Sequence, residues 1–161
     1  MPNLFYMLMP SPVGQLKLIA HDTALVAVLW ETDQPNRVLL GEMQQMPNHP
    51  ILNMAQQQLQ EYFDHKRSTF DLPLYFYGTD FQKKVWAELL KIPYGETRSY
   101  LDIAIAVGNA KAVRAVGAAN GKNPLSIIAP CHRVIGKNGQ LVGFAGGLDV
   151  KQSLLQLEQM I

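Results

Sequence analysis

Residues 99–121 read Ser-Tyr-Leu-Asp-Ile-Ala-Ile-Ala-Val-Gly-Asn-Ala-Lys-Ala-Val-Arg-Ala-Val-Gly-Ala-Ala-Asn-Gly. Ser99 with Asp102 three positions on is a helix-start signature, a hydroxyl cap answered by a side chain that reaches back. The helix it opens ends near Val107, at Gly108-Asn109. A second helix over residues 110–119 follows at once and stops at Asn120-Gly121. Two short helices joined by a glycine-containing turn form a helix-turn-helix pattern. In the second helix only Lys111 and Arg114 are polar; the rest is Ala, Val and Gly. A reader of base edges needs Asn, Gln, Ser or several Arg. This surface suits the phosphate backbone and the shape of a duplex, with little regard for base sequence. The same small residues also suit a helix packed in a core, and the pattern alone leaves both open.

Upstream, Thr79 with Gln82 is another capping box. It opens a helix with Phe81, Val85, Trp86, Leu89 and Leu90 on one face, which stops before Pro93-Tyr94-Gly95. Residues 73–78 read as a link. Before it, residues 14–20 and 23–30 are rich in Leu, Val and Ile around His21-Asp22, the pattern of a β-hairpin. Its alternation puts Val26 and Val28 on one face and Leu25, Ala27 and Leu29 on the other. Residues 33–50 hold three prolines and read mostly as loop. A helix over residues 50–64 presents Ile51, Ala55, Leu59, Tyr62 and Phe63, and residues 67–74 return as a short strand. This half is a small α+β unit with no cluster of ionisable residues that reads as chemistry.

The chain has 161 residues, 48% hydrophobic and 17% charged, enough to bury a core in one domain or two small ones. No apolar run approaches the ~20 residues that cross a bilayer. The first basic residue is Lys17, so the apolar start at residues 4–9 lacks the basic head of a signal peptide, which points to a reducing, cytoplasmic setting. One cysteine, Cys131, excludes an intrachain disulfide, a cysteine-rich zinc site and a dithiol redox pair. Residues 1–75 hold four Lys or Arg against seven Asp or Glu, a balance of −3; residues 76–161 hold ten against six, a balance of +4. That division places any polyanionic partner on the second half, although ordinary surface charge gives the same count.

Downstream, residues 126–129 are an apolar run suited to a buried strand, leading to Pro130-Cys131-His132-Arg133-Val134. A lone cysteine is commonly a small buried hydrophobe. Here imidazole and guanidinium follow it directly, and such groups favour thiolate, the nucleophilic form. On an extended chain adjacent side chains point apart, so His132 reaches the sulfur only if the chain bends or a water bridges. Gly136-Lys137-Asn138-Gly139 reads as a turn, and Gly143-Phe144-Ala145-Gly146-Gly147 as a flexible loop that can lie against a flat ligand. A last helix over residues 149–159 places Val150, Leu154 and Leu157 inward with Leu155 on the flank. Glu158 borders that apolar face and needs a partner, either a surface Lys or His132.

Taken together, Arg-Ala-Val-Gly-Ala-Ala-Asn-Gly-Lys-Asn-Pro, Pro-Cys-His-Arg-Val, Gly-Phe-Ala-Gly-Gly-Leu and Leu-Leu-x-x-Glu resemble, in order over residues 80–158, the O6-alkylguanine-DNA alkyltransferases, or methylated-DNA–protein-cysteine methyltransferases. The resemblance covers the first half only in layout. It implies an α+β chain: a ribonuclease H-like N-terminal α/β support domain at residues 1–75, then a mostly helical winged helix-turn-helix domain at residues 76–161. It implies a DNA repair protein that flips the damaged nucleotide out from the minor-groove side and moves the alkyl group of O6-alkylguanine to its own cysteine, once per molecule; O4-alkylthymine is a further substrate of this kind. Cys131 is the implied acceptor, His132 a water-mediated base held by Glu158, Asn123 a hinge bond, and Tyr100 a donor to the departing guanine that also crowds the phosphate. Arg114 takes the place of the flipped nucleotide, and Lys111, Asn109, Ala115, Gly117 and Arg133 join Tyr100 on the DNA. Pro130, Val142, Gly143, Phe144, Ala145 and Gly146 line the guanine pocket. Lys83, Lys84, Lys91, Arg98, Lys122 and Lys137 are further candidates for phosphate contacts. The implied partner is double-stranded DNA carrying the lesion, met by a monomer without cofactor, metal or membrane, in the cytoplasm (or the nucleus of a eukaryote).

Phe144 stands where many members have Tyr, so the aromatic wall is kept and a hydroxyl lost. Ala145 leaves only backbone groups to meet the lesion oxygen, and the zinc-binding residues of some relatives are missing. Two other classes share parts of this pattern: a lesion-binding relative that does no chemistry, which lacks the acceptor cysteine, and a Cys-His-Glu hydrolase, which turns over and needs an oxyanion hole.

Overall fold

A computed structural model describes residues 3–159. Strands β1 (Phe5–Met9), β2 (Leu16–Ala20), β3 (Leu25–Trp30) and the two-residue β4 (Gln44–Gln45) form a sheet in the order β3-β2-β1-β4. The two pairs β1–β2 and β2–β3 are antiparallel, and β4 lies parallel to β1. The expected hairpin is present, but its alternation breaks. Ile19 pairs with Ala27 and Ala20 with Leu25, leaving Val26 as an extra residue, a bulge. Leu25 therefore joins Val28 in the main core while Val26 packs with Ala27 in a smaller cluster behind the sheet. β1 lies in the apolar start, which the sequence reading weighed only as a leader.

Helix α1 (Pro50–Phe63) lies on the sheet with Leu52, Ala55, Leu59, Tyr62 and Phe63 buried. His49 caps it, its ring accepting the Ile51 N–H, and Pro50 fits the first turn because no N–H is needed there. Residues 67–74 form no strand. Only Leu74 bridges to Leu25, with Tyr75 N donating to the Leu25 carbonyl and Leu25 N to the Pro73 carbonyl. On the same edge of β3, Val28 N donates to the Pro124 carbonyl. The β3 edge of the sheet is thus covered by residues 73–75 and by Pro124 and Leu125 of the second half.

The second half is helical. Thr79 and Gln82 close the capping box of α2 (Asp80–Leu89), and Ser99 and Asp102 that of α3 (Tyr100–Ala106). Leu90, expected on the buried face of α2, is 43% exposed because the helix ends before it. α4 (Val113–Gly121) begins three residues later than expected: Asn109 accepts the Lys111 N–H through its side chain and the Ala112 N–H through its carbonyl, holding residues 109–112 as a turn. Trp86 seats α4 on α2 by donating its indole N–H to the Ala119 carbonyl at 2.8 Å. β5 (Arg98–Ser99) pairs in parallel with β6 (Val134–Ile135), and α5 (Leu148–Leu157) closes the chain. Within α5 the buried side chains are Lys151, Leu154 and Leu155; Val150 and Leu157 are only half-buried, because the inward face is rotated by about one residue. One hydrophobic core runs from Met7 and Leu18 through Trp86 and Val116 to Cys131 and Leu154, so the halves share their interior. No described helix is long and apolar enough to cross a membrane, and no group of three or more His, Cys, Asp or Glu among the described residues is placed to hold a metal.

Candidate active site

Residues 126–129 are not the strand their composition suggested. They form a tight reversal, closed by Ala129 N donating to the Leu125 carbonyl at 2.8 Å. Ile127 sits there at φ +73°, a left-handed conformation that a β-branched residue adopts at a cost of about 1–3 kcal/mol. Asn123 holds the reversal from inside. Its amide donates to the Ala129 carbonyl at 2.7 Å and its oxygen accepts the Leu125 N–H at 3.0 Å. Trp30, from the sheet, donates its indole N–H to Ser126 Oγ at 3.1 Å. A run of Ser-Ile-Ile-Ala reads as strand locally; Asn123, just upstream, and Trp30, from the sheet, hold it otherwise.

The reversal delivers the chain into a single 3-10 turn, Cys131–Arg133. This is the bend that His132 requires if it is to share a side with the sulfur. All three side chains are buried, Cys131 at 4% exposure and His132 at 0%. Glu158, at the end of α5, gathers the neighbours. Its carboxylate accepts from His132 Nε2 at 2.7 Å, from Arg133 Nε at 2.7 Å and Nη2 at 3.0 Å, and from the Tyr62 hydroxyl at 2.5 Å. Burial alone would push this carboxyl up, but the bonds from His132 and Arg133 outweigh it and hold it down at about 2. It is therefore ionised and can only accept, so His132 Nε2 must carry a proton. Burial pushes His132 below its ordinary value despite Glu158, which favours the neutral ring. In a neutral ring with Nε2 protonated, Nδ1 is a free lone pair. That atom is buried and has no partner among the described residues.

Burial also pushes the Cys131 thiol up, with the Asn123 amide and the Arg37 and Lys151 cations pulling the other way. The resting sulfur is a thiol that needs a base. Tyr100 opens α3 half-buried, its ring 4.0 Å from where a Cβ on Gly117 would lie. Burial and charge on Cys131 push its hydroxyl up, so it stays a proton donor, with the Asn120 amide acting in the opposite sense. On α4, Val116, Ala119 and Asn120 face the core, while Arg114 and Ala115 are exposed, as is Lys111 in the preceding turn. The loop over residues 142–147 follows as half-open backbone with Val142, Gly143 and Gly147 exposed. Pro130 is buried, and borders a cavity of about 180 Å³ with Phe70, Tyr94 and Arg133 that Cys131 does not line.

Arg133 does not sit where a DNA contact requires. It is 5% exposed, spends two nitrogens on Glu158, and donates a third to the Ile92 carbonyl at 2.7 Å. An interior carboxylate has claimed the charge, so it cannot meet a phosphate. Four participants escaped the sequence reading as site residues. Tyr62 and Trp30 looked like ordinary core. Arg37, paired with Asp33, bonds the Gly121 and Asn123 carbonyls at 3.2 and 2.8 Å. Lys151, at 0% exposure, ties the Val134 and Val142 carbonyls together at 2.7 and 3.0 Å. A lysine on the inward stripe of α5, three residues before Leu154, was the available signal for the last.

Similarity to known proteins extends over nearly the whole chain. The family profile for the 6-O-methylguanine DNA methyltransferase DNA binding domain matches residues 80–160, and that for its ribonuclease-like domain residues 4–76. A methylated-DNA–protein-cysteine methyltransferase of Methanosarcina barkeri is 43% identical over 156 residues, spanning 97% of this chain and 98% of that protein. The constitutive methylated-DNA–protein-cysteine methyltransferase of Bacillus subtilis is 49% identical, spanning 97% and 96%. The crystal structure of Mycobacterium tuberculosis OGT in complex with DNA superposes with a TM-score of 0.89 at 44% identity, covering 96% of this chain and 92% of that one. The buried Cys-His-Arg turn, its glutamate and these matches lead to one conclusion: the chain belongs to the 6-O-methylguanine-DNA methyltransferase family.

Proposed function

We propose that this protein repairs DNA by moving the alkyl group of O6-alkylguanine to Cys131, irreversibly and once per molecule. The observation that carries the reading is His132 Nδ1, which has no partner among the described residues, a lone pair kept free by the Glu158 bond on the other nitrogen and placed one residue from the only thiol in the sequence. His132 takes the thiol proton, directly or through a water. The sulfur attacks the alkyl carbon, the S–C bond forms as the C–O6 bond breaks, and the electron pair stays on guanine. The Tyr100 hydroxyl supplies the proton or hydrogen bond that this charge demands. Sulfur brings the electrons and guanine leaves with them, so the balance closes without a cofactor. The thioether has no second cysteine to resolve it.

The alkyl carbon lies within the base stack, so the nucleotide leaves the duplex first, at a cost of a few kcal/mol. The exposed face of α4, with Arg114 and small neighbours, supports docking in the minor groove by shape and phosphate, with Arg114 filling the vacated stack. Lys111, Asn109, Ala115, Gly117 and Tyr100 belong to that surface. Phe144, Gly143, Ala145, Gly146 and Val142 form the wall beside the flipped base. Residues 76–161 carry the reaction and residues 1–75 support it, the chain acting as a monomer on double-stranded DNA. The Mycobacterium tuberculosis relative solved with DNA supports the partner.

Intact-mass analysis after incubation with an O6-methylguanine duplex tests this. A stable gain of one methyl, mapped to Cys131 and lost in Cys131→Ala with DNA binding kept, is the expected result. Binding without mass gain refutes the transfer, and repeated turnover on an ester marks a hydrolase.

A further inference from the structure

We infer that Trp30, a residue of the N-terminal sheet, sets the position of the glycine loop and thereby the size of alkyl group the site accepts. The inference rests on the alkyltransferase reading and gives the first half of the chain a part in substrate choice. Trp30 ends β3 and is 5% exposed. Its indole N–H is fixed on Ser126 Oγ, inside the reversal that leads to Cys131. Its ring meets Phe144 edge-on, with centroids 5.6 Å apart and planes at 63°. Gly146 crosses the same ring so closely that a Cβ there would lie 2.9 Å from two indole carbons. Both the aromatic residue of the loop and its close-packed glycine therefore rest on one side chain, which is anchored to the cysteine segment. At its other end the loop is tied through the Val142 carbonyl to Lys151.

A cavity of about 130 Å³ lies beside this contact, lined by Val13, Trp30, Gly146 and Val150 among others. The loop therefore has room to settle backward, and the indole prevents it. Removing the ring enlarges that space, and a glycine-rich backbone collapses into it more readily than a packed helix does. Gly146 has an ordinary backbone conformation, so alanine there adds crowding against Trp30 at 2.9 Å and Phe144 at 3.0 Å without left-handed strain.

The test uses the full chain and two duplexes identical except for an O6-methyl or an O6-benzyl group, with rates of Cys131 alkylation read by intact mass. DNA binding cancels in the ratio of the two rates. Trp30→Leu is expected to raise the benzyl-to-methyl ratio by about tenfold, the discrimination a displaced apolar wall provides. Gly146→Ala pushes the loop forward from the same contact and lowers the ratio. If both variants keep the parent ratio within roughly twofold, with the two rates unchanged or falling together, Trp30 is only structural and the inference is overturned. Should Trp30→Leu fail to fold, Trp30→Phe, which keeps an aromatic ring in the core, is expected to raise the ratio in the same direction, and an unchanged ratio there overturns the inference. A parent chain that takes up neither alkyl group refutes the transfer reading itself, a result distinct from an unchanged ratio.

Discussion

Replacing Glu158 by glutamine removes the charge that organises the site while keeping its shape. The carboxyl is held at about 2, against an ordinary 4.5, by His132 and Arg133 with help from Tyr62. At about 1.4 kcal/mol per pKa unit, that difference is worth about 3 kcal/mol of folding stability at neutral pH. Glutamine also leaves the buried Arg133 guanidinium without a counter-charge, a loss of about 3–5 kcal/mol for a broken buried pair. The two figures describe the same interaction, so Glu158→Gln is expected to cost about 3–5 kcal/mol at pH 7 in urea unfolding followed by tryptophan fluorescence. The sign with pH follows from the lowered value. The contribution is complete above the unfolded value near 4.5 and disappears as pH falls through about 2. The gap between parent and variant should therefore be wide at pH 6 and nearly closed at pH 2. A variant as stable as the parent at neutral pH, or a gap that does not change with acid, refutes the claim that an ionised Glu158 holds this turn together.

Asn123→Ala should cost about 1–3 kcal/mol, because the Leu125 N–H loses its acceptor whereas the Ala129 carbonyl keeps the Cys131 N–H; chemical denaturation measures it, and a loss under about 0.5 kcal/mol contradicts the clamp. The rate with free O6-benzylguanine should be flat near neutrality and fall only below pH 6.5, since burial depresses His132 and acid removes its lone pair. A rate that instead climbs steadily into alkaline pH identifies free thiolate as the nucleophile. Arg114→Ala should slow repair in a duplex more than reaction with free O6-benzylguanine, and equal losses on both remove the flipping role. Lys151→Met should destabilise the chain by about 1–3 kcal/mol through the Val134 and Val142 carbonyls; unchanged urea unfolding shows that the tie carries no load.

The helix starts were readable from residues 79–82 and 99–102 because a cap is a local bond between groups three residues apart. The bulge at Val26 was not, since a hairpin pattern counts alternation and says nothing of a slipped pairing. Residues 126–129 misled for a related reason. Ser-Ile-Ile-Ala prefers extended backbone, and the left-handed Ile127 is imposed by Asn123, three residues before the segment, and by Trp30, 96 residues away from Ser126 in the chain. Arg133 shows the same limit for charge: composition counts a cation, and only packing reveals that Glu158 has already neutralised it.

By itself the sequence determined the chemistry available, namely one sulfur, an adjacent imidazole and a glutamate at the end of the last helix, together with the helix pair that follows from short-range caps. Tertiary structure alone decided which nitrogen of His132 is free, that Arg133 faces inward, and that Tyr62, Trp30 and Arg37 reach across from the first half to the site. Bonds between near neighbours are written in residue order. Burial, counter-charges and unfilled lone pairs depend on what the rest of the chain brings alongside.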